Sequence, residues 1–76
     1  MTTTAEHITA RSQSNHDTLE ALLGFDLQAE RRRRGATQQE LAAVIGADKG
    51  SVSRWECGIR LPAPHHLLAL RAWHAA

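Results

Sequence analysis

The chain predicts a small all-α domain of four to five helices, and three observations carry that expectation. A capping box at Thr37–Glu40 opens an apolar run, a glycine and a second cap at Gly46 and Asp48 open another, and a proline pair, Pro62 and Pro64, precedes a third. At 76 residues there is room for one hydrophobic core.

The elements follow in order. Residues 1–16, MTTTAEHITARSQSNH, are rich in Thr, Ser, Asn and Gln with little apolar periodicity, and are expected to form a flexible arm ahead of a domain at 17–76. Arg11 is the only basic side chain in that arm, so the arm offers little positive charge. Asp17-Thr18-Leu19-Glu20 has the form of another capping box and predicts a turn or two of helix as far as Leu23, with Gly24 interrupting it before a helix at Phe25 to Arg34. In Thr37-Gln38-Gln39-Glu40 the Thr oxygen accepts the Glu40 amide and the Glu carboxylate reaches back. Leu41, Ala42, Val44 and Ile45 then give an apolar face about two turns long.

Gly46 ends that helix, because glycine takes the left-handed conformation that lets a helix stop and turn sharply. Asp48 caps a second helix running to about Cys57 or Gly58, so the two are joined by a loop of only two or three residues. Val52 and Trp55, three apart, point inward, with Ile59 just beyond. Pro62 stops regular structure and Pro64 suits the first position of a new helix, which carries Leu67, Leu68, Leu70, Ala72 and Trp73 between His65 and His74. That is more apolar surface than a domain this small can cover. Leu70, Trp73 and the final alanines are the candidate homodimer surface, with closure of the core as the other reading of Trp73.

Net charge is +1 and argues nothing by itself, but the charge is segregated. Residues 1–30 hold one Arg against five acids, and residues 31–60 hold seven basic side chains against three acidic ones. Arg32, Arg33 and Arg34 complement the dipole at the end of their helix, and their place beside the paired helices favours phosphate contact by at least one of them.

Other chemistry is set aside. Five histidines and one cysteine lack metal-ligand spacing, since His65 and His66 are adjacent and no CxxC or HxxxH set completes a site. Cys57 reads as a reduced thiol of a cytoplasmic protein, with no disulfide framework. There are no paired carboxylates in a pocket-like context, no phosphate-binding glycine loop and no nucleophile with a matched base, so an enzyme is not expected, nor is a cofactor. No run is long and apolar enough to span a membrane, and no signal-peptide pattern is present.

The polar side of the Asp48-capped helix is short, cationic and thinned by glycine, with Lys49, Gly50, Ser53 and Arg54 in its amino-terminal half or middle. A helix fits the major groove, where its leading residues meet base edges and an arginine binds guanine O6 and N7 with both arms of its fork.

Residues 25 to about 73 resemble the lambda-repressor/Cro-like helix-turn-helix family of bacterial and phage transcription regulators. Thr37-Gln38-x-Glu40-Leu41-Ala42 is similar to that family's second helix, Gly46 to its turn, Ser51-Val52-Ser53-Arg54-Trp55-Glu56-x-Gly58 to its recognition helix and exit, and Arg60-Leu61-Pro62-Ala63-Pro64 to the start of its fourth helix. The resemblance implies base contacts from Lys49, Gly50, Ser53 and Arg54. It implies backbone contacts from Gln38, Ser51 and Arg60, to which the arginine cluster adds Arg34, and a partly buried salt bridge between Arg31 and Glu56. The family usually has large aliphatic side chains where this chain has Glu30 and Ala36, which implies lighter packing of the first helix. Gly50 lacks the side chain that many relatives use on bases, and close approach to DNA is one reason to keep a glycine there.

The function expected is a homodimeric repressor binding a palindromic operator in double-stranded DNA, with two recognition helices in successive major grooves about 34 Å apart. The competing reading is the antitoxin of a toxin–antitoxin pair, holding a protein partner through the acidic amino-terminal segment. A third is a protein adaptor that has lost DNA binding.

Overall fold

The computed structural model describes residues 10–76 and is all-helical over them: α1 at Ala10–Leu23, α2 at Leu27–Arg33, α3 at Gln38–Ile45, α4 at Lys49–Glu56 and α5 at Pro64–Ala75. The first nine residues of the expected arm, and the side chain of Arg11, lie outside the described residues. Residues 10–16 do not belong to an arm, because α1 already begins at Ala10. Asp17 accordingly lies in mid-helix rather than at a cap, its Oδ1 accepting Gln13 Nε2 at 3.1 Å.

Tertiary bonding explains this polar helix. The Asn15 amide donates to Gly58 O at 2.7 Å and His16 Nε2 donates to Glu56 O at 2.6 Å. Those carbonyls belong to the end of α4 and the turn after it, where a helix leaves acceptors without intrahelical donors. Leu19 and Leu23, one turn apart, bury the other side of α1 in the core, and the chain turns at Gly24. Asp26 caps α2 by accepting Ala29 N at 3.1 Å, so that helix starts at Leu27 rather than Phe25.

Both bonds of the Thr37 box are present: Glu40 N donates to Thr37 Oγ1 at 3.0 Å and Thr37 N to Glu40 Oε1 at 2.8 Å. Gly46 closes α3 at φ +74°, and Asp48 opens α4 by accepting Ser51 N at 2.6 Å, leaving three residues between the helices. Pro64 begins α5.

The core gathers Leu19, Leu23, Leu27, Leu41, Ala42, Ile45, Val52, Trp55 and Leu70, where α3 packs on α4 and α5 while α1 covers α4 and α5. Two expected inward residues face solvent. Val44 is 69% exposed, for at 100° per residue it falls about 100° from the centre of the Leu41–Ala42–Ile45 face. Ile59 is 62% exposed, beyond the last turn of α4. Leu70 is corrected in the opposite direction: it is fully buried and cannot be a subunit contact. It lies four and three residues after His66 and Leu67 and three before Trp73, at the middle of the inward stripe of α5. Trp73 is half-buried against the core, with Phe25 at 6.3 Å between ring centroids.

Candidate nucleic-acid interface

Buried side chains turn α4 so that its polar residues face outward. Val52, Trp55 and Glu56 hold its inner side. Lys49, Gly50 and Arg54 are exposed and Ser51 and Ser53 half-buried, so the expected base-reading residues share the open side of one short helix. Arg60 is exposed in the turn beyond, its N–H bonded to Arg54 O at 3.4 Å. The first turn of α4 is tightly organised, with Asp48 accepting Ser51 N and Ser51 Oγ accepting Arg54 Nη2 at 3.4 Å. Bonds from the Ser51 amide and hydroxyl hold the Asp48 carboxyl below its ordinary range, with the charges of Arg54 and His66 adding to the effect.

The inner end of α4 is tied down by a buried ion pair. Arg31 Nε lies 2.6 Å from Glu56 Oε2 and Arg31 Nη2 donates to Oε1 at 3.0 Å, a two-armed contact in which the Glu side chain is 1% exposed. Gln38 and Gln28 also donate to Glu56 Oε1, at 3.0 and 3.3 Å, and Arg31 Nη1 donates to Ala36 O at 2.8 Å. Burial pushes the Glu56 carboxyl up, and the bonds from Arg31 and Gln38 outweigh it, leaving the group below the usual glutamate range. Gln38 is half-buried and spends one amide N–H on α4, so it braces the helix from the start of α3 with its second N–H left over.

Arg34, expected at the DNA backbone, also has partners within the fold. Its Nε donates to Glu30 Oε2 at 2.9 Å, Nη1 to Trp73 O at 2.8 Å and Nη2 to His74 O at 2.5 Å, while the guanidinium lies 4.6 Å from the Trp73 ring centroid. It caps the last turn of α5 with two of its five N–H groups and gives a third to Glu30. Glu30 completes the knot: bonds from Arg33 and Arg34 draw its carboxyl down to about 2. Arg34, held by this carboxylate, thus joins the end of α2 to α5 where the resemblance implied lighter packing. Arg32 and Arg33 remain exposed.

Sequence reasoning missed Asp26, Gln28, Asn15 and His16. The Asp26-x-x-Ala29 cap was legible as an acidic residue ahead of an apolar one, whereas the other three act through contacts 28, 43 and 40 residues away that no local pattern signals. Among the described residues no three His, Cys, Asp or Glu side chains are grouped to hold a metal ion, and no described helix is long and apolar enough to cross a membrane.

Two capped helices at a three-residue turn, with the second anchored inside and polar outside, define a helix-turn-helix DNA-binding domain. Residues 22–72 match the helix-turn-helix domain family, and the chain belongs to it. Neither a curated protein nor a solved structure matches the chain.

Proposed function

We propose that the protein is a transcription regulator of the lambda-repressor/Cro-like type, reading a palindromic operator as a homodimer and repressing by occupying a promoter. One observation carries this reading: Lys49, Ser53 and Arg54 lie together on the accessible side of a helix whose opposite side is locked by Trp55 and Glu56. Such a helix enters a major groove as a rigid body, with Arg54 offering its fork to guanine. Ser51, Arg60 and the free N–H of Gln38 flank it and serve the sugar–phosphate backbone. The exposed Arg32 and Arg33 add positive field.

The test is a gel shift and footprint on the DNA upstream of the protein's own coding region, against scrambled competitor. Two protected half-sites about one helical turn apart support the reading. A folded protein with no preference for any duplex overturns it. The antitoxin reading draws on α1, most of which lies outside the family match and which exposes Asp17, Glu20 and Leu22. A copurifying toxin that needs those side chains would favour it.

A further inference from the structure

Gly50 is an anomaly within α4. Its φ is not positive, so the backbone does not require glycine, and only proline is a poorer residue inside a helix. The surrounding atoms supply a reason. A Cβ at this position would meet Arg54 Nη1 at 3.2 Å, Asp48 Oδ1 at 3.4 Å and Arg54 Nη2 at 3.7 Å. A methyl there would crowd the tip of the Arg54 side chain, which reaches back one turn over the start of its own helix and would have to give by a few tenths of an ångström. There it donates to Ser51 Oγ at 3.4 Å, and its charge acts on the Asp48 carboxylate without a direct ion pair.

We propose that Gly50 is a positioning residue for DNA reading: its missing side chain leaves the space, or seat, into which the Arg54 guanidinium folds back to bond Ser51 Oγ. The inference rests on the base-reading role given to Arg54 above. An arginine seated before it meets DNA loses less rotamer freedom on binding, and its remaining N–H groups point one way. The partner fitting such a fork is guanine, through O6 and N7 in the major groove. Gly50 then matters through Arg54 and not by letting the DNA backbone come close.

The two roles separate in a double-mutant cycle. Operator affinity is measured for the wild type, Gly50→Ala, Arg54→Ala and the double variant, on the best site and on sites changed at the base pair whose preference vanishes in Arg54→Ala. Arg54→Ala is expected to lose roughly 5- to 150-fold at that pair. Gly50→Ala should lose about 3- to 10-fold there, yet less than about twofold when Arg54 is already alanine. Its urea midpoint should rise, since alanine is the better helix former, so the loss is not one of folding. An equal loss in both arginine and alanine backgrounds, or no loss in either, overturns the proposal.

Nitrogen-15 relaxation of the Arg54 Nε–H in the free protein provides a readout that needs no DNA. An ordered group in the wild type that becomes mobile in Gly50→Ala supports the seat, and equal mobility in both overturns it. Should the wild type select no sequence at all, the DNA-reading role fails while relaxation still decides the seat.

Discussion

Removing the Glu56 carboxylate is the most severe single change the fold offers short of deleting core. Glu56→Ala leaves the Arg31 guanidinium, whose side chain is 10% exposed, with a buried positive charge and two donors without an acceptor. The Gln28 and Gln38 amides lose their acceptor as well. Breaking a buried pair from one side typically costs about 3–5 kcal/mol, because the remaining charge stays dehydrated. At the usual stability of 0.05–0.15 kcal/mol per residue, a chain of this length has about 4–11 kcal/mol in all. The variant should therefore keep at most about 8 kcal/mol, and a wild type at the lower end of that range would unfold at 25 °C once the pair is broken. Urea denaturation followed by far-UV circular dichroism measures the loss, with Trp55 fluorescence as a second probe next to the site. The double change Arg31→Met with Glu56→Leu should recover most of the stability, since matched apolar replacements of buried pairs are often neutral or better. A loss below about 1 kcal/mol in Glu56→Ala would mean that water reaches the pair, and the argument from dehydration would fail.

Leu70→Ala should cost about 2–5 kcal/mol and leave the association state in sedimentation unchanged, in keeping with its complete burial. Arg34→Ala should lower the melting temperature while leaving the salt dependence of DNA binding as it is; a salt slope reduced by about one unit would return Arg34 to the phosphates. Gly58→Ala, at φ +74° and with its new methyl driven into the Ser12 carbonyl, should speed amide exchange throughout α1, and unaltered exchange would show that α1 is held elsewhere. Glu30 and Glu56 both have carboxyls lowered by folding, so the stability they contribute is complete above the ordinary glutamate value of 4.5 and lost as pH falls through the folded values, about 2 for Glu30. Melting temperature should fall steadily below about pH 4.5, and Glu30→Gln should flatten part of that fall.

The helix pair was legible because its signals are local. The Thr37 box, Gly46, Asp48 and Pro64 each act within four residues of themselves, and the structure has each where the chain suggested. What could not be read is what depends on distance. Residues 10–16 have no apolar stripe, and they are helical because Asn15 and His16 find carbonyls at the far end of α4. Leu70 and Val44 exchanged their expected sides because helices of eight and twelve residues offer several apolar positions, and only packing chooses among them. The bonds of Arg34 to α5 were equally hidden, since those partners lie 39 and 40 residues downstream. At the candidate interface, the exposure of Lys49 and Arg54 follows from Val52 and Trp55 turning inward, whereas the seat at Gly50 needs the path of the Arg54 side chain.

The bonds from Asn15 and His16 to the end of α4 bear on where the cooperative unit ends. A protein trimmed to residues 22–72 would keep every family motif and lose Leu19, both of those donors, and the Trp73 and His74 carbonyls that Arg34 bridges. Such a fragment would carry α4 with its trailing turn unfastened and its closing helix loose. The span that sequence similarity recognises is thus smaller than the span joined by these bonds. Grafting this domain onto another protein with all of them intact would mean beginning before Ser12 and running past His74.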